Sequence, residues 1–247
     1  MANAIPTIGW LKPEEVERKR NDVTLAMWEN EYELQEPSPE SRAIDTPSVK
    51  AMFKRELGVY AGEIRQYIEI EEPNPADSYI TGADWAKTND WTIAVTFRKP
   101  RLLYQEDGSP LLNVRGEQAK GPARLVAFER LGREPYPAMI ARFEYQVKRF
   151  GSTATHDGTG LGSVVEDLIT VGAESFKMVG QQRADLLSNY IGAIEKGEIE
   201  APFIVYMEAE HRLASRKDVY AGGEGHLPDT LSAGALAWRG IGGWWLA

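Results

Sequence analysis

The chain has 247 residues, 43% of them hydrophobic and 26% charged, with a formal net charge of −9 and no cysteine. This length accommodates one full domain and an appendage, and the absence of cysteine excludes disulfides, thiolate nucleophiles and cysteine-held zinc. No apolar run approaches the roughly 18–20 residues of a membrane helix, and the N-terminus lacks the charged start and apolar core of a secretory signal. A cytoplasmic protein without membrane contact is therefore expected. The acidic balance differs from the basic surface typical of DNA-binding modules. Such a chain either does not bind nucleic acid or leaves a partner to hold the duplex.

Residues 1–75 read as a helical linker or connector. Pro13, Glu14 and Glu15 make a helix-start signal after Trp10 and Leu11. A second helix is expected from Asp22 to Leu34, and a third over 47–58, ended by Gly58. Between them lies a loop rich in proline and serine. Strands begin after Pro75, so the main domain is expected over 76–247.

Tyr79–Trp85 is short and mostly apolar. Trp91, Ile93, Val95 and Phe97 then alternate with Thr92, Ala94, Thr96 and Arg98, the period of a strand. The two segments fit an antiparallel pair. Leu102–Tyr104 and Leu111–Val114 flank a Glu-Asp-Gly-Ser-Pro turn and predict an extra hairpin, and Arg124–Arg130 predicts a third core strand. Ile140, Phe143, Val147 and Phe150 recur on one face of a helix. Ser152–Asp157 is a strand running into Gly158-Thr159-Gly160. A helix with Val164, Val165, Leu168 and Ile169 follows, then a strand over Ser175–Val179. Leu186, Leu187, Tyr190, Ile191 and Ile194 mark the next helix, and Phe203–Met207 a weak strand. Asp229 opens a final helix rich in small residues. The order predicts an α/β fold: a mixed sheet with helices on both faces.

Asp84 and Asp157 fall at strand ends and Asp229 at a helix start, positions that aim side chains into the crevice beside a sheet. Three converging carboxylates repel one another unless cations offset their charge. Oxygen ligation favours Mg²⁺ or Mn²⁺. A pair of such ions about 3.5–4 Å apart is a common device for phosphodiester hydrolysis. Each aspartate also has a plain structural reading. Asp229 could be a helix cap and Asp157 a turn residue. Asp84, within an apolar strand, is the costliest to explain that way.

Taken in order, ITGADWAKTNDWTIAV, THDGTGLGSVVEDLI and HLPDTLSAGALAW resemble the C-terminal nuclease domain of phage and prophage large terminase subunits, which is ribonuclease H-like in fold. The resemblance implies catalysis and metal ligation by Asp84, Asp157 and Asp229, with Asp90 as a supporting ligand or loop anchor. It reaches into residues 1–75, where GWLKPEEVERKR and WENEYELQEP look like the segment joining the packaging ATPase to the nuclease. The implied activity is metal-dependent cutting of double-stranded DNA during genome packaging. The implied partners are a packaging ATPase domain or subunit and, through it, portal and small terminase. Many relatives have two adjacent acids at the third site, but here Pro228 precedes Asp229. His226 is then a candidate supporting partner. Lys87, Arg212, Arg216 and Lys217 are candidate DNA contacts, although a solvated charged face explains the last three equally well. His156 is expected to point away from the site, since neighbours on a strand face opposite ways. Glu166 and Asp167 read as helix charges.

The sequence holds no G-x-x-x-x-G-K-[ST] phosphate loop. The expected ATPase is therefore supplied from elsewhere and docks over Trp10, Leu11, Trp28 or Tyr32. Three rivals remain at this stage. An actin-like or sugar-kinase-like ATP-binding domain shares the core, a resolvase-type nuclease shares the fold, and a silent docking module needs no active acids.

Overall fold

The computed structural model describes residues 41–85, 91–132, 134–159, 162–220 and 227–241. A short helix, α1 (Thr46–Met52), starts at Asp45, whose carboxylate accepts from the Ser48 N–H at 2.9 Å. It leads straight into β1 (Phe53–Tyr60), followed by β2 (Gln66–Glu69), β3 (Tyr79–Asp84), β4 (Thr92–Arg98) and β5 (Ala123–Leu131). Then come α2 (Tyr136–Phe150), β6 (Thr153–Asp157), α3 (Gly162–Leu168), β7 (Ala173–Phe176) and α4 (Gly180–Glu195). The chain continues with β8 (Ile199–Ile204), α5 (Val205–Leu213), α6 (Arg216–Tyr220) and α7 (Asp229–Arg239).

The strands form one mixed sheet in the order β1-β8-β5-β4-β3-β6-β7. β3, β4 and β5 run antiparallel, whereas β6 and β7 run parallel to β3. The edge of β5 is shared: its first residues pair with β8 and its last with β2. One face packs on α2 through Trp85, Met139, Ile140, Phe143 and Val147. The other carries the larger cluster with α1, α4, α5 and α7. The mixed sheet covered on both faces is the one expected.

Two local expectations change. Residues 47–58 do not form a helix throughout, because α1 ends at Met52 and Phe53 opens a strand that pairs in parallel with β8. The described part of 1–75 is thus built into the sheet through β1 and β2, whose pairing partners are distant in sequence, as with Phe53 and Ala201 or Gln66 and Arg130. The weak strand expected over Phe203–Met207 lies earlier, at Ile199–Ile204, and Val205 already starts α5. β4 forms the strand that its alternation predicts, and all seven of its residues are buried. Its polar side chains face α2 instead of water. There Thr96 Oγ1 meets Thr81 Oγ1 at 2.8 Å and accepts from Gln146 Nε2 at 2.7 Å, so burial leaves the hydroxyl hydrogen-bonded.

The expected hairpin is a three-segment arm. Bridges join Leu102 to Lys120, Tyr104 to Pro110 and Leu112 to Gln118. No helix among the described residues is long and apolar enough to cross a membrane.

Helix α7 lies across β3, β4 and β6, and its residues 229–238 are all buried. Its small side chains allow this. At Gly82 of β3, a Cβ would overlap the backbone of Ala233 and Ala237, including Ala237 Cα at 2.9 Å. The helix and the strand therefore touch backbone to backbone. Behind α7, His211 of α5 donates from Nδ1 to the Met207 carbonyl at 2.9 Å, and its Nε2 accepts from the Tyr190 hydroxyl at 3.0 Å. Burial pulls the His211 pKa down to about 4. The unfolded chain takes up that proton near pH 6.5 and the folded chain does not. Stability is therefore expected to fall as pH drops from about 6.5 to about 4, by roughly 1.4 kcal/mol per unit for this group. Urea unfolding across that window checks this. The His211→Phe variant, less stable at neutral pH, should show a shallower slope.

Candidate active site

The three aspartates gather at one end of the sheet. Asp84 is the last residue of β3 and Asp157 the last of β6. The two strands are parallel neighbours, with Ala83 opposite His156, so the aspartates follow one step later on strands about 4.8 Å apart. Both face the α7 side. Ala83 belongs to the α2 cluster, and His156 accepts from Trp85 Nε1 at 3.1 Å in that same layer. Alternation then sends the next residue of each strand to the opposite face. Their cross-strand partners agree, because Ile93 opposite Asp84 and Phe176 opposite Asp157 both pack with the α7 cluster.

Asp229 arrives from the third direction as the first residue of α7, and it is only 6% exposed. The helix-cap reading does not describe it, since the cap position is Pro228 and carries no side-chain cap bond. Its Oδ2 instead accepts from the backbone N–H of Trp91 at 3.0 Å. This bond ties α7 to the chain entering β4, beside the end of β3. The turn reading of Asp157 is realised, as its Oδ1 accepts from the Thr159 N–H at 2.7 Å.

His156 points away from the site as expected. It is buried, and burial lowers its pKa. Its Nδ1 lies 3.1 Å both from Trp85 Nε1, which can only donate, and from the Asp157 carbonyl, which can only accept. Glu166 and Asp167 are exposed on α3. Arg212 pairs with Glu208 one turn earlier at 3.1 Å, Arg216 donates to the Arg42 carbonyl at 3.2 Å, and Lys217 is exposed on α6. Trp238 is packed in the core. Lys87, Asp90, His226, Trp244 and Trp245 lie outside the described residues, as do Trp10, Leu11, Trp28 and Tyr32.

Two neighbours of the site escape a reading of the sequence. Glu210, which reads as part of a solvated charged run, accepts from the Thr230 N–H at 2.9 Å and so satisfies the start of α7. Arg130, near the end of β5, has its guanidinium over the rings of both Trp91 and Tyr206. Neither has a local signal, because the partners are far apart in the chain.

Among the described residues, no group of three or more His, Cys, Asp or Glu stands close enough to hold one metal ion. The donors nevertheless suit a hard divalent cation. All are carboxylate oxygens placed at one sheet end, and each carboxylate offers about four acceptor positions. Backbone placement and donor chemistry fit; the side chains of Asp157 and Asp229 are turned onto backbone N–H groups.

No protein-family model and no curated protein matches the chain. Solved structures do match. The large terminase nuclease from thermophilic phage G20c superposes with a TM-score of 0.57 at 16% identity, over 78% of this chain and 95% of that one. The same nuclease with bound magnesium gives 0.57 at 18% identity, over 78% and 94%. The large terminase nuclease domain of Thermus phage P74-26 gives 0.51 at 17% identity, over 77% and 92%. The fold is ribonuclease H-like. In the ribonuclease H-like sheet of this chain, the three aspartates lie on or beside the interior strand β3 and the strand and helix packed on it.

Proposed function

We propose that the chain is a metal-dependent endonuclease that cuts double-stranded DNA during phage genome packaging, as the nuclease part of a large terminase. The observation that carries this reading is the convergence of Asp84, Asp157 and Asp229 on one sheet end, within a fold shared with terminase nucleases. Structures of the G20c nuclease with bound magnesium, cobalt and zinc support a divalent cation here, for which we take Mg²⁺ or Mn²⁺. Two such ions would activate water and stabilise the leaving oxygen of the phosphodiester.

Asp84, at the end of the interior strand β3, would be the ligand shared by both ions. Asp157 and Asp229 would complete the metal site, with Asp90 in a supporting role. Trp91 and Glu210 fix the α7 end, so the Asp229 carboxylate starts from a defined position. His226 is a supporting partner, and Lys87, Arg212, Arg216 and Lys217 are DNA contacts. The net charge of −9 fits a division of labour in which a packaging ATPase, linked to portal and small terminase, holds the duplex. That ATPase would dock on the connector through Trp10, Leu11, Trp28 or Tyr32. The expected setting is the cytoplasm of the bacterial host.

The test is conversion of supercoiled plasmid to nicked and linear forms. Cutting should appear with Mg²⁺ or Mn²⁺, stop with EDTA, return on adding metal, and need no ATP. It should be salt-sensitive and nearly independent of sequence, since the proposed contacts are to phosphate. No cleavage with either metal overturns the reading, and strict preference for branched DNA would replace it with a resolvase.

A further inference from the structure

Arg130 occupies an unusual position for a sheet arginine. Arg98 and Arg124 pair with Glu71, and Arg142 with Glu129. Arg130 instead has its guanidinium 3.4 Å from the Tyr206 ring centroid and 4.5 Å from that of Trp91. Its polar contact is a long bond from one terminal nitrogen to the Gly62 carbonyl at 3.3 Å, and its Nε is buried with no acceptor among the described residues. The side chain as a whole remains partly exposed.

The row across the sheet places it relative to the aspartates. Asp84 is opposite Ile93, and Ile93 is opposite Arg130. Directly opposed residues share a face, so Arg130 lies on the α7 side, two strands from Asp84. At about 4.8 Å per strand the two backbones are about 10 Å apart. This equals about three nucleotides of one DNA strand at a rise of about 3.4 Å each. The Tyr206 hydroxyl senses the same neighbourhood: burial and Glu210 push its pKa up, with Arg130 and Asp229 both close enough to contribute. Glu210 is engaged by the Thr230 N–H and by the Tyr206 hydroxyl.

We propose that Arg130 is a phosphate-binding residue of the site, with Trp91 and Tyr206 presenting its guanidinium to the backbone of the DNA strand that crosses the sheet end. The two rings it lies over strip water from the guanidinium and restrict its plane. The partly exposed side chain keeps N–H donors that suit a phosphate oxygen. The stack also does in advance the ordering that a free arginine would undergo on binding. This rests on the nuclease reading for its ligand, but the site itself is formed by the cation and its rings.

The experiment compares wild type with Arg130→Gln and Arg130→Lys, using a short fluorescent duplex for binding in Ca²⁺ and a plasmid for cleavage in Mg²⁺. Arg130→Gln should weaken binding and raise KM by about tenfold or more, leaving kcat within about twofold. The slope of log K against log salt should become shallower by about 0.9, the value for one lost phosphate contact. Arg130→Lys should restore the salt slope but recover affinity only in part, because lysine keeps the charge and loses the planar fork. Wild-type affinity, KM and salt slope in the Gln variant overturn the proposal, as does a loss confined to thermal stability and kcat. If the Gln variant does not fold, a Lys variant that binds and cuts with wild-type affinity and KM overturns it equally. Failure of wild type to cut, with binding that still depends on Arg130, defeats the nuclease reading and leaves the phosphate site standing.

Discussion

Replacing Asp84 by asparagine should reduce DNA cleavage on the order of a thousandfold or more while the protein stays folded. Asparagine keeps the size and shape of aspartate, and Asp84 ends its strand half-exposed, outside the packed layers. What disappears is the negative charge at the point where β3 meets β6 and α7. Without metal, removing one of three nearby negative charges should leave the thermal midpoint in EDTA unchanged or raised. In Mg²⁺ the order should reverse, because wild type gains stability from the ligand it binds. Asp84→Asn combined with Asp157→Asn should be no worse than Asp84→Asn alone, since residues that act as one unit do not add. Initial rates of plasmid nicking, with thermal unfolding of the same samples with and without Mg²⁺, check all three statements. Wild-type rates from a folded Asp84→Asn protein would remove Asp84 from the chemistry.

The second large effect concerns a residue that touches no substrate. Gly82→Ala should destabilise the fold by on the order of 3 kcal/mol and abolish most of the activity that remains. A methyl group at Gly82 would meet the backbone of α7 at Ala233 and Ala237. Backbone cannot rotate aside as a side chain can, so the helix must move off the strand as a body. That movement strains the bond from Trp91 N–H to Asp229 and the bond from Thr230 N–H to Glu210, which together place Asp229. Urea unfolding reads the stability. Nicking by the folded fraction reads the site, and unchanged stability would show that α7 is not held against β3 as described.

These two residues also mark what a sequence can and cannot disclose here. Asp84 is legible because an aspartate at the end of an apolar strand conflicts with its surroundings, and the conflict points to a ligand. Asp157 is legible for a similar positional reason, and the helices α2, α4 and α7 follow from periodicity or from a run of small residues. Gly82 looks like any glycine in a strand until α7 is laid on it. Asp229 reads as a cap on local grounds, yet its partner Trp91 lies 138 residues away. Arg130 has no local signal, since its ring neighbours come from the start of β4 and from α5. Residues 47–58 read as helix because their propensities say nothing of β8, the partner that makes residues 53–60 a strand. In β4 the alternating pattern was read correctly as strand, but the hydroxyl partners on α2 and β3 that bury its threonines could not be seen.

The central claim is that Asp84, Asp157 and Asp229 jointly hold divalent cations. Anomalous diffraction from crystals soaked in Mn²⁺ tests it most directly. The account predicts manganese between Asp84 and Asp157, with Asp229 on the same site and carboxylate oxygens at about 2.1–2.2 Å, close to the distances for a small octahedral cation. Binding should pull the Asp157 and Asp229 side chains away from the Thr159 and Trp91 N–H groups. Manganese absent from this end of the sheet at saturating concentration, or bound only elsewhere on the chain, would contradict it.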